Sequence, residues 1–198
     1  MKLPNKNIII VVAIAAVIAV ILVVFSVTAK DKNITTTTTA TNSTPASKEL
    51  ATQTVTSQSN TTEDLLLYLI EEEKLAHDVY KVMYDKYGAK VFGNILNSES
   101  THQGKVLTLL QARNIADPRS PEVGVFKNQE LQTLYNVLIV QGNKNATEAY
   151  KAGVVIEEKD IKDISMQLST ATDQDVITTL EVLRSGSENH LRAFNRQL

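Results

Sequence analysis

Hydrophobic and polar positions alternate with three different rhythms along the 198 residues. Residues 8 to 28, IIIVVAIAAVIAVILVVFSVT, are apolar almost throughout and carry no charge. At the helical rise this run is about 30 Å long, enough to cross a bilayer. Residues 29 to 62 have few large apolar side chains and are dominated by Thr, Ser and Asn. Such text cannot bury a core and reads as a disordered stalk. From residue 63 apolar positions recur every three to four residues, the period of amphipathic helices, and strand-like alternation is scarce.

Five helices follow from this rhythm. The first is expected to start at Thr61 or Thr62, whose side-chain oxygen would cap free amides, and to close at Gly88. Its stripe Leu65, Leu69, Glu72, Ala76, Val79, Met83 is apolar except for Glu72. The neighbouring stripe holds Leu66, Ile70, Glu73, His77, Tyr80 and Tyr84. The second, from about Val91 to Arg113, carries Phe92, Ile95, Glu99, His102, Val106 and Leu109, and the prolines 118 and 121 follow it. A short helix is expected from Gln129 to Val140 with Gly142 as its stop. A fourth opens at Asn145 with Glu148 as a partial capping box and shows Tyr150, Val154, Glu157, Ile161, Ile164 and Leu168. The last opens near Asp173 and presents Val176, Leu180, Leu183, Ser187, His190 and Phe194.

The fold class is therefore all-α: four long helices with an extra short helix between the second and third of them. The expected organisation is an n-region at 1–7, a transmembrane anchor or signal peptide at 8–28, the stalk at 29–62 and a helical domain at 63–198. Val27-Thr28-Ala29 is a passable cleavage site, but signal h-regions run roughly 7–15 residues and this run is longer. Lys2 and Lys6 favour a cytoplasmic N-terminus, weakened by Lys30 and Lys32. The helical domain is then expected outside the cytoplasm, membrane-bound, or secreted if the anchor is cleaved. Asn33, Asn42 and Asn60 open glycosylation sequons in the stalk, as a surface glycoprotein would have.

Composition narrows the chemistry. There is no cysteine, which excludes disulfides, thiolate catalysis and Cys-based zinc or iron–sulfur sites. A net charge of -2 gives no basic footprint, so no nucleic-acid partner is expected. What stands out is polar residues on apolar stripes: Glu72 or Glu73, Glu99 with His102, Glu157, and His190. Carboxylates and imidazoles turned into a core are costly unless something binds them. Glutamates from two helices and Glu-x-x-His pairs from two others form the ligand set of a carboxylate di-metal site. Oxygen and imidazole donors suit hard to borderline divalent ions, with iron expected first and manganese or zinc as alternatives.

Each signal has a plainer reading. Glu99 and His102 alone would be a polar pair satisfied by Tyr80 or Tyr68. At least one of Glu71, Glu72 and Glu73 is expected to face water. Gly104 and Gly153 lie inside helices, as tolerated imperfections or points of close approach. Arg192 would pair with a core glutamate or lie on the surface.

Five blocks in order resemble the domain-of-unknown-function 2202 family: EEEKLAHDVY, VFGNILNSESTH, GVFKNQELQTLY, VIEEKDIKDI and GSENHLRAF. The resemblance spans about residues 63 to 196 and implies a ferritin-like four-helix bundle, without an established reaction. Under the ferritin-like pattern Glu99 and His102 match the second-helix Glu-x-x-His, and Glu157 the third-helix glutamate. Glu73 precedes Tyr80 by seven residues, as the first-helix glutamate does in rubrerythrin-like proteins. The last helix departs: His190 is present, but Ser187 stands where the motif has glutamate, and Glu188 points about 100° away. Asp160, one turn after Glu157, is the candidate to replace it. His77 and Glu188 stand where the family usually has arginine.

Two functional expectations follow. One is an exported, membrane-anchored di-iron or di-manganese protein that oxidises Fe(II) or reduces peroxide or oxygen. Storage in a closed cage does not fit, because a shell could not place every anchor in one membrane. The alternative is a structural or partner-binding bundle with a mono-metal or empty site, contacting partners through the short helix and the GVFKN loop; a homodimer is left open.

Overall fold

The computed structural model describes residues 50–198, with side chains from residue 62 onward. The expected anchor at 8–28 and the sequons at Asn33 and Asn42 lie outside the described residues, and Asn60 falls within the first helix. No helix among the described residues is long and apolar enough to cross a membrane.

Five helices and no strand occur among the described residues: α1 (Leu50–Tyr87), α2 (Lys90–Ala112), α3 (Gln129–Gly142), α4 (Ala146–Leu168) and α5 (Gln174–Asn195). One expectation is corrected at once. Helix α1 does not begin at Thr61 or Thr62 but at Leu50. Ser, Thr and Asn are weaker helix formers than Ala, but the deficit is a few tenths of a kcal/mol per residue. Extending an existing helix adds a hydrogen bond for each residue fixed, so a polar stretch can continue one. Thr62 instead donates from Oγ1 to Asp173 Oδ2 at 3.5 Å.

The ends follow their capping chemistry. Gly88, at φ 62°, closes α1 in the left-handed region, and its N–H donates to Tyr84 O at 2.8 Å. Helix α2 ends with Asn114 at φ 55° and the Ile115 N–H reaching back to Leu110 O at 3.0 Å. This is a Schellman closure with Asn in place of Gly. The Asn128 side chain caps α3 and the Asn145 side chain caps α4 by accepting from Glu148 N. Gly142 is not the stop of α3 but its last helical residue. A Cβ there would lie 2.5 Å from Met83 Cε, so the glycine leaves room for the end of the Met83 side chain.

Short turns join α1 to α2 and α4 to α5, which makes each pair an antiparallel hairpin. The hairpins pack so that α1 touches α2 and α4, and α5 touches α2 and α4, while α3 lies against α1 and α4. The interior has three layers. An aliphatic layer of Leu66, Leu69, Ile70, Val106, Leu109, Leu110, Ile164, Val176, Leu180 and Leu183 fills one end. Towards the other, Tyr80, Phe92, Tyr150 and Phe194 pack ring against ring with centroids 5.1–6.1 Å apart. Between them lies a layer of buried acids and histidines.

Candidate metal centre

Helix α1 supplies three consecutive glutamates to the interior, and none faces water: Glu71, Glu72 and Glu73 are 3 %, 4 % and 2 % exposed. The expectation of an exposed member fails because α2, α3 and α4 surround α1 here and leave no open side. Each carboxylate has its own neighbours. Glu71 accepts from the backbone N–H groups of Lys127 and Asn128, at 2.7 and 2.8 Å, just before α3. It satisfies free donors at a helix N-terminus, where negative charge is favoured. Glu72 pairs with Lys159, whose ammonium also donates to Tyr68 at 2.6 Å. Glu73 turns the other way, to His102, with Oε2 3.1 Å from Nδ1. The stripe that was less clean in sequence thus carries the glutamate that meets the histidine.

Around Glu99 two groups converge. Its Oε2 lies 3.0 Å from His102 Nδ1, and its Oε1 lies 2.8 Å from His190 Nδ1. His190 Nδ1 is also 3.5 Å from Glu157 Oε1, yet it is aligned for a hydrogen bond with neither carboxylate. Glu73, Glu99 and His102 form one triad, and Glu99, Glu157 and His190 form another. In each, one donor atom per residue lies within 4.8 Å of the others. The two imidazole rings stack with centroids 5.4 Å apart. Tyr80 donates to Glu157 Oε1 at 2.6 Å, so its partner is Glu157 and not the Glu99–His102 pair. Tyr68 is likewise engaged elsewhere, with Lys159 and Asp163.

Asp160 lies outside both triads and accepts a short hydrogen bond from Ser187. Glu188 is exposed, Arg192 reaches Asn189 on its own helix and not a core glutamate, and His77 Nδ1 is 3.0 Å from Asp78 Oδ1. Gly153 is a close approach, since a Cβ there would meet the Phe194 ring at 2.7 Å, whereas Gly104 has open space.

The electrostatics are those of crowded acids in a dry interior. Burial, then the charges of Asp160 and Glu99, push the Glu73 carboxyl well above its ordinary value. Burial and the charges of Glu72 and Glu157 do the same to Asp160, with the Ser187 hydroxyl opposing. Burial, with the Glu99 charge adding, lifts Glu157 to about 7 although His190 and Tyr80 oppose it. Glu99 is the exception: burial works against its charge, but His102 and His190 outweigh it and hold it at about 2. The carboxylates of Glu157 and Glu99 overcome burial at His190 and raise it to about 10. Four buried atoms have no hydrogen-bond partner here: Glu72 Oε2, Glu73 Oε1, Asp160 Oδ1 and His190 Nδ1. Orphaned buried donors and acceptors are rare in folded proteins, and a bound ion is one reason for them.

Two features carried no distinctive signal in the sequence. Ser98 places its Oγ 2.9 Å from His190 Nε2. Gly186 leaves space for His102, because a Cβ there would lie 2.6 Å from the ring's Cε1 and Nε2. Their positions beside Glu99 and Ser187 were the available hints.

Residues 62–198 match the family described as Uncharacterized protein domain (DUF2202). The chain belongs to this family. It is also similar to Uncharacterized protein MJ0754 of Methanocaldococcus jannaschii, 41% identical over 134 residues, which are 67% of this chain and 72% of that protein. The crystal structure of hypothetical protein MJ0754 from Methanococcus jannaschii DSM 2661 superposes with a TM-score of 0.68 at 36% identity, over 81% of this chain and 85% of that one.

Proposed function

We propose that this DUF2202 domain is a ferritin-like metalloprotein holding two divalent cations, exported and tethered by the segment 8–28. One observation carries the reading: Glu99 offers Oε2 to the Glu73–His102 triad and Oε1 to the Glu157–His190 triad. The donor set fits a cation by chemistry as well as by place. Burial favours the neutral form of Glu73 and Glu157. Glu73 Oε1 and His190 Nδ1 lack hydrogen-bond partners, and a dication offsets such a buried acidic cluster better than protons do.

Glu73 and His102 would hold one cation, Glu157 and His190 the other, and Glu99 both. Oxygen and imidazole donors favour iron, then manganese or zinc. Two redox-active metals there would pass electrons from Fe(II) to peroxide or oxygen, the first being oxidised and the second reduced. The chain's own part is to position and to exclude water. Tyr80 holds Glu157, the aromatic layer closes one side, and the aliphatic layer closes the other. Lys159 neutralises Glu72, which keeps one acid of the run apart from the cluster.

A structural bundle with a single metal is the second reading. It is favoured by Ser187, which binds Asp160 where a further carboxylate would otherwise enter. Metal analysis of the full-length chain in detergent separates the two. After stripping and reloading with Fe(II) without oxygen, about two equivalents are expected. Glu99→Gln should abolish both while the helical signal persists. One equivalent supports the second reading, and binding indifferent to Glu99→Gln overturns the first.

A further inference from the structure

The two halves of the centre share Glu99 but differ on the far side of their histidines. His102 turns Nδ1 to Glu73 and Glu99, and its opposite edge packs on the bare α-carbon of Gly186. No hydrogen-bond partner meets His102 Nε2 among the described residues. His190 turns Nδ1 to Glu99 and Glu157, and its Nε2 lies 2.9 Å from Ser98 Oγ. Ser98 is half-buried and directly precedes Glu99 on α2. One short stretch of α2 therefore supplies the shared carboxylate, one imidazole, and the contact that orients the other imidazole.

The tautomer gives this contact a consequence. A neutral imidazole carries its proton on one nitrogen and leaves the other bare, and a cation is bound through the bare one. Binding through His190 Nδ1 requires the proton on Nε2 and an acceptor for it. Partners of this kind fix both the tautomer and the plane of a ligating ring. We propose that Ser98 is the positioning residue of the Glu99–Glu157–His190 half, accepting the Nε2–H of His190 and keeping Nδ1 bare. This rests on the two-cation reading. It also makes the halves unequal: loss of the Ser98 hydroxyl loosens the half built on three helices and spares Glu73, Glu99 and His102.

The alternative is a hydroxyl that only satisfies a surface-facing nitrogen. The neighbouring Ser100 supplies the control, since it is exposed and donates to Leu96 O at 3.0 Å. The experiment uses the full-length, metal-stripped chain in detergent, titrated with Zn(II) by calorimetry. The nitrogen-15 shifts of the histidine side chains are followed in parallel. In the unsubstituted protein two equivalents bind, and His190 becomes Nε2-protonated and Nδ1-bound. Ser98→Ala should weaken one of the two equivalents by about 10–100-fold and leave the other in place. It should also mix the His190 tautomers. Ser98→Thr should restore both, and Ser100→Ala should change neither. Two equivalents of unaltered affinity with an unaltered His190 pattern in Ser98→Ala would overturn the proposal and leave the two-cation reading standing. So would equal weakening of both equivalents. An unsubstituted protein that binds no Zn(II) would overturn both.

Discussion

The aliphatic and polar layers are built by the same four long helices, at neighbouring levels and at the same burial. Leu66, Leu69, Ile70, Val106, Leu110, Leu180 and Leu183 are essentially inaccessible, and so are Glu73, Glu99, Glu157 and Ser187. Helical periodicity delivers both sets to the interior without regard to their chemistry. The side chains decide what burial then does. Each aliphatic side chain gains roughly 1.5–3 kcal/mol on leaving water. Each carboxylate loses hydration, which a neighbouring carboxylate does not return. One layer holds the bundle together, and the next opposes it unless protons or cations are taken up.

The largest contrast comes from cutting into the aliphatic layer. Leu69→Ala should cost about 2–5 kcal/mol in urea unfolding, because it leaves a cavity among packed aliphatic side chains. Next comes pH, which should act through the polar layer. In the metal-free protein Glu157 titrates at about 7 rather than 4.5, so the folded state binds more protons than the unfolded state between those values. Stability should fall as pH rises through that window, on the order of 3 kcal/mol from this group. His190, raised to about 10, extends the same fall above 6.5, and Glu99, held at about 2, acts oppositely but only below 4.5. A thermal midpoint that rises from pH 5 to pH 8 would contradict this account.

Substituting within the polar layer should invert the usual outcome of a core mutation. Glu73→Gln removes one of several crowded acids, so the metal-free protein should become about 1 kcal/mol more stable or stay unchanged. Its cation uptake should drop, as metal analysis would report. The smallest effect separates two helical glycines. Gly104→Ala, in open space, should stabilise by about 0.5–1 kcal/mol. Gly186→Ala should forfeit that gain, because its Cβ displaces His102. Chemical denaturation of both variants side by side tests the difference.

The stripes made the helices legible, and the acids and histidines on them marked the interior layer. Other features depended on neighbours that a single helix cannot reveal. Glu72 and Glu73 differ by about 100° of rotation and both adjoin apolar stripes, so the sequence left them equal. Lys159, on α4, separates them by drawing Glu72 away. The acidic run looked partly exposed because one helix in isolation has a wet side, and the packing of α3 removes it. Gly142 looked like a stop because glycine often ends helices, whereas here the Met83 side chain fills the space a Cβ would occupy.

The distribution of the five groups over the two hairpins has a kinetic consequence. Glu73, Glu99 and His102 all belong to the α1–α2 hairpin, whose contacts are close in sequence, while Glu157 and His190 arrive with α4 and α5. Local contacts form early and long-range ones late. During folding, therefore, the first triad can assemble before the hairpins dock, whereas the second exists only once docking is complete. A cation present from the start would meet a half-built centre on the hairpin. Stopped-flow refolding with and without Zn(II) would then show the ion acting before the final docking phase.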